Sequence, residues 1–97
     1  MNIARVSVPS IDLKVAIQMY YERIELSTAD IKKIFGGKVG DFTLRNLKKA
    51  AREMVVETGE IVWDAKKINT RAAYKAWGLD IQNLTDRYKH LQKLKLI

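Results

Sequence analysis

Arg45, Lys49 and Arg52 recur at i, i+4 and i+7, a spacing that stacks three cations on one face of a helix. Thr43 and Asn46 precede or flank them in the first turn, and Lys48 lies beside them. Like charges one turn apart repel in an isolated helix, and an anionic partner relieves that repulsion. The chemistry open to such a set is recognition of a polyanion. A guanidinium can bind a guanine edge in bidentate fashion, which suits Arg45 at the start of the helix. Lys48, Lys49 and Arg52 suit phosphate contacts, and Thr43 and Asn46 are short enough to reach a base edge or a phosphate. The competing explanation is an ordinary solvated helix face.

Little else in the chain points to chemistry. A nucleophilic triad needs a nucleophile, a base and an orienting group, and the one histidine, His90, sits among lysines near the end. Without cysteine, thiolate metal sites and disulfides are excluded. Gly36, Gly37 and Gly40 form a glycine-rich turn before a helix, but they match neither the Walker spacing nor the dinucleotide fingerprint, and no strand precedes them. The expectation is a protein that is not an enzyme, with no catalytic residues, no metal, no cofactor and no small-molecule substrate.

Charge agrees with an anionic partner. The 97 residues carry a net charge of +7. Residues 1–26 are neutral in sum, and the excess is spread over the rest, with +3 in 27–57 alone. A basic balance of this kind favours nucleic acid or an anionic surface. No apolar run approaches the roughly 20 residues of a membrane span, and the start of the chain lacks a signal-peptide pattern. The chain is therefore expected to be cytoplasmic, with no membrane contact. Its length suits one domain, 1–97, with a thin core.

The elements that would position the cations are helical. Met1 to Val8 alternates loosely and ends at Pro9, which predicts a short extended N-terminal arm, with Ser10 as the next N-cap. Leu13, Ala16, Ile17, Tyr20 and Ile24 predict a first helix over Asp12 to Glu25. Ser27 and Asp30 form a capping-box pattern for a short second helix, which Gly36-Gly37 stops. Asp41 or Thr43 caps a third helix over 41–58, with Leu44, Leu47, Ala51 and Met54 inward and Gly59 at its end.

Glu60 to Trp63 is apolar and β-branched, but a winged arrangement needs a pairing strand, and no good partner is evident. Asn69 or Thr70 caps a fourth helix closed by Gly78, and Asp80 caps a fifth. The expected fold is all-α: a five-helix compact domain containing a helix-turn-helix with a lengthened turn. No internal repeat is evident.

In a helix-turn-helix the first helix crosses the DNA backbone and the second enters the major groove. The stretch Ser27-Thr28-Ala29-Asp30-Ile31-Lys32-Lys33-Ile34-Phe35-Gly36 resembles that first helix and its glycine. Thr43-Leu44-Arg45-Asn46-Leu47-Lys48-Lys49-Ala50 resembles the recognition helix. The Gly37 to Phe42 connection is about two or three residues longer than the usual turn. With the Tyr74 to Asp80 stretch, the whole chain is similar to small helix-turn-helix proteins of phage and prophage type in Gram-positive bacteria. The resemblance implies a non-enzymatic DNA-binding protein acting on double-stranded DNA in regulation, excision or packaging.

A second helix-glycine-helix spans Thr70 to His90, where Arg71 and Lys75 lie one turn apart and Tyr74 stands where a small residue is usual. It is a rival reader, or the cover for the first three helices. Trp63 and Trp77 suit either base stacking or core filling, with core favoured, and so does the Tyr20-Tyr21 pair. Ile81, Leu84, Tyr88 and Leu91 form a short heptad-like seam, compatible with a homo-oligomer or with docking on the chain's own core. Lys89, Lys93 and Lys95 are a further phosphate patch or simply solubilising. The functional alternative from another class is a protein–protein adaptor that does not bind DNA.

Overall fold

The computed structural model describes residues 10–37, 39–59 and 66–95. Helix α1 runs Leu13–Glu22, strand β1 Glu25–Leu26 and helix α2 Thr28–Ile34. Helix α3 runs Asp41–Thr58, strand β2 Ile68–Asn69, helix α4 Thr70–Ala76 and helix α5 Ile81–Lys93. The N-terminal arm and the Glu60 to Trp63 segment lie outside the described residues.

The mostly helical architecture is as expected, with one addition. β1 and β2 pair antiparallel, Glu25 opposite Asn69 and Leu26 opposite Ile68. The amide of Thr70 extends the pairing by donating to the carbonyl of Ile24 at 3.0 Å. Leu26 and Ile68 are both buried, so this short ribbon closes the core rather than forming an exposed wing.

The ribbon also explains where α1 departs from its expected form. Arg23 turns extended to feed β1, so the helix stops at Glu22. Ile24 thus leaves the apolar stripe and is 72% exposed. Ala16 and Met19 are the buried residues of α1, while Ile17 and Tyr20 are half-buried. The cap is Asp12, not Ser10: its carboxylate accepts from the amide of Val15. The amide of Asp12 meanwhile donates to the carbonyl of Ile34 at 2.7 Å, tying the start of α1 to the end of α2.

A repeat is present that the residue types conceal. Leu26 and Ile68 each precede a capping residue, Ser27 and Asn69, whose side chain accepts from the third helical amide, Asp30 and Ala72. Each cap opens a seven-residue helix. The helices end alike. The Phe35 and Trp77 amides bond to Ile31 and Ala73, the Gly36 and Gly78 amides to Lys33 and Lys75, and the Gly37 and Leu79 amides to Lys32 and Tyr74. Gly36 and Gly78 take φ +74 and +72, the left-handed conformation of a Schellman stop. Every member of the second unit sits at one constant offset from its counterpart. The central strand pair, Leu26 and Ile68, is itself a pair of equivalent residues. Local backbone rules make the units alike, and only Thr28/Thr70, Lys33/Lys75 and Gly36/Gly78 are identical in type.

Beyond the glycines the units diverge. α3 packs most extensively against α4, and α5 packs against α1. The core gathers Leu44, Leu47 and Ala51 of α3, Ile31, Ile34 and Phe35 around α2, and Ala73, Tyr74 and Trp77 around α4. α5 contributes Leu84 as its buried residue. Trp77 is 3% exposed, meets Phe35 edge-on with centroids 5.4 Å apart, and donates its indole N–H to the Leu47 carbonyl at 2.9 Å. It is a core residue and not a stacking platform; Trp63 lies outside the described residues.

Candidate nucleic-acid interface

α3 begins without a side-chain cap. Its N-cap is Gly40, and neither Asp41 nor Thr43 fills that role. Gly59, at φ +70, ends it in the left-handed conformation. Between those ends Leu44, Leu47 and Ala51 anchor one side, with Met54 half-buried. The opposite side is thereby fixed toward solvent.

Arg45, Lys49 and Arg52 all lie on that side and are exposed. The described ion pair, Arg23 with Asp30 at 3.7 Å, lies elsewhere. Among the described residues no carboxylate neutralises the three α3 cations. Glu53 and Glu57 are exposed on the C-terminal part of the helix and Asp41 in its first turn, one turn before Arg45, so the cations outnumber the carboxylates between Arg45 and Arg52.

The remaining candidates are held differently. Thr43 and Asn46 are half-buried: helical spacing sets Thr43 beside Met54, on the far side of the helix from Arg45, with Asn46 between the two sides. Lys48 is half-buried, and its ammonium donates to the hydroxyl of Thr28 at the start of α2. It stitches α3 to α2, whereas Lys49, one position on, is free in solvent. Phe42 and Val56 are 74% and 84% exposed, and helical spacing places them on the cationic side. The signal for Phe42 is its position three residues before Arg45.

On the second helix-glycine-helix, α4 buries Thr70, Ala72, Ala73 and Tyr74 and exposes Arg71 and Lys75. α5 exposes Gln82, Asn83 and Arg87 near its start, with the Gln82 amide donating to Asp86 at 3.2 Å. An open groove of about 670 Å³ runs between α1 and α5, lined by Ile11, Leu13, Leu84, Arg87, His90 and Leu91. Among the described residues no group of three or more His, Asp or Glu side chains is placed to hold a metal ion. No described helix is long and apolar enough to cross a membrane.

Among the described residues, the Tyr74 phenol is the titrating group altered by its surroundings. Burial, and secondarily Tyr20, push its pKa well above the ordinary tyrosine value. Its hydroxyl donates to the Ala16 carbonyl of α1, so it holds the core and has no place on the cationic face. Compared with protein-family models, with curated proteins and with solved structures, the chain matches none.

Proposed function

We propose that the chain is a non-enzymatic, double-stranded DNA-binding protein that places α3 against the duplex. The observation that carries this reading is the trio Arg45, Lys49 and Arg52: exposed, on one helix face, and without a carboxylate partner among the described residues. Placed in a major groove, such a face sets Arg45 toward base edges, with Asn46 on its flank and Lys49 and Arg52 toward phosphates, while the half-buried Thr43 lies off the face. Lys48 supports the face from its edge through Thr28. The helix-turn-helix reading belongs to this proposal, as do a phage or prophage role in regulation, excision or packaging and a cytoplasmic location.

The test is binding of a random-sequence duplex across salt concentration. Each neutralised phosphate contributes about −0.9 to the slope of log affinity against log salt. Arg45→Ala and Lys49→Ala should weaken binding and flatten the slope, with helical content unchanged. Absence of binding at low salt overturns the reading. The exposed Phe42, Val56, Tyr21 and Ile24 then favour a protein–protein adaptor, since these are apolar side chains left to solvent.

A further inference from the structure

α4 is short and almost wholly enclosed. Its two exposed side chains, Arg71 and Lys75, are both cations, one turn apart. Neither has an ion-pair partner among the described residues. Asp86 accepts from the Gln82 side-chain amide and Asp80 from the Gln82 backbone N–H. Helix α4 is also firmly seated, by the Tyr74 hydroxyl on α1 and the Trp77 indole on α3. This second pair of cations is therefore fixed in the same rigid frame as the first set.

The direction of the pair matters as much as its charge. α3 and α4 pack on each other through their buried sides. The Trp77 indole meets Leu47 of α3. Helical spacing sets Arg71 and Lys75 on the side of α4 opposite Ala73 and Trp77, and Arg45, Lys49 and Arg52 on the side of α3 opposite Leu47, so the two cationic sides face away from each other. The molecule measures 40 × 32 × 25 Å, far shorter than the roughly 150 base pairs over which duplex DNA stays straight. A duplex lying along α3 therefore runs past the domain without curling back to Arg71 and Lys75.

We propose that the α4 face is a second phosphate-binding surface, so that one molecule of this protein holds two separate segments of duplex DNA. The inference rests on the DNA reading given above. The occupant is chosen by charge: two exposed cations spaced one helical turn apart, with no ion-pair partner among the described residues, match a phosphate backbone. One molecule then acts as a clip between two duplexes, a function that needs no second subunit.

The experiment uses a bead-bound duplex of random sequence, the full chain, and a second, fluorescent duplex free in solution. The expected result is that protein loaded on the beads captures the free duplex. Arg71→Ala with Lys75→Ala should load as before and lose about tenfold or more of the capture, as should the charge reversal Arg71→Glu with Lys75→Glu. Circular dichroism checks that both variants keep their helices. Loading without capture by the unmodified chain overturns the proposal. So does undiminished capture by the Arg71 and Lys75 variants, which would trace the bridging to self-association. Failure to load at all is a different result, since it overturns the DNA reading and this inference with it.

Discussion

The ammonium of Lys48, in α3, donates to the hydroxyl of Thr28, the first residue of α2, across twenty positions of sequence. The connection between these helices contains three glycines, residues with no side chain to tie one helix to the other. A charged hydrogen bond at the start of α2 supplies a constraint that the connection lacks. Lys48→Met and Thr28→Val should each destabilise the fold. In a double-mutant cycle on unfolding, the two should couple by about 1 kcal/mol. Additive effects would mean the bond does not hold in solution.

The twin stops of α2 and α4 give a direct check on the repeat. A Cβ at Gly36 or Gly78 would meet nothing within 4 Å, so the cost of a side chain is the backbone strain of positive φ alone. Gly36→Ala and Gly78→Ala should each lose about 1–2 kcal/mol. The two losses should be alike, and asparagine should be milder at both. A large difference between the sites in urea unfolding would contradict their equivalence.

Trp77 combines volume with a hydrogen bond to a carbonyl inside α3. Trp77→Phe keeps a ring near Phe35 but removes the indole N–H from Leu47 and leaves a gap. The expected loss is about 2–4 kcal/mol in denaturant unfolding. A change below about 0.5 kcal/mol would mean that the core repacks around the smaller ring.

Tyr74 predicts an alkaline weakness. Its folded pKa is raised, so the unfolded chain releases the phenolic proton first, near the ordinary tyrosine value of about 10. Below that pH the contribution to stability is fully present, and it is lost as pH rises above it. Tyr74→Phe should cost about 0.5–1.5 kcal/mol at neutral pH for the lost bond to Ala16. It should also flatten the decline of melting temperature above about pH 10. An unchanged alkaline profile would assign the weakness to other groups.

Features set by near neighbours along the chain are legible in the order of residues itself. Ser27 and Asp30 close the expected capping box. Gly59 ends α3, Asp80 caps α5, and the outward setting of Arg45, Lys49 and Arg52 follows from helical period alone. Distant pairings are not legible in that way. Two-residue strands are too short to show alternation, so nothing in Glu25-Leu26 announces Ile68-Asn69 as its mate. That pairing also decides where α1 stops, and with it the fate of Ile24. Lys48 and Lys49 are the same residue type, and only the position of Thr28 tells the tether from the free cation. The seam of α5 is visible as a pattern, yet its half-buried Ile81, Tyr88 and Leu91 show that periodicity marks a preferred side and not how deeply that side is covered.

The pairing of Leu26 with Ile68 sets a timetable for folding as the chain is made. When residues 10–59 have emerged from a ribosome, β1 still lacks its mate and the buried side of α3 lacks α4. That half exposes Leu26, Leu44 and Leu47 to solvent, and it can offer them to any other apolar surface within reach. Closure waits until Trp77 has emerged and can reach Phe35 and Leu47. The two units are alike in form, but neither can be finished without the other.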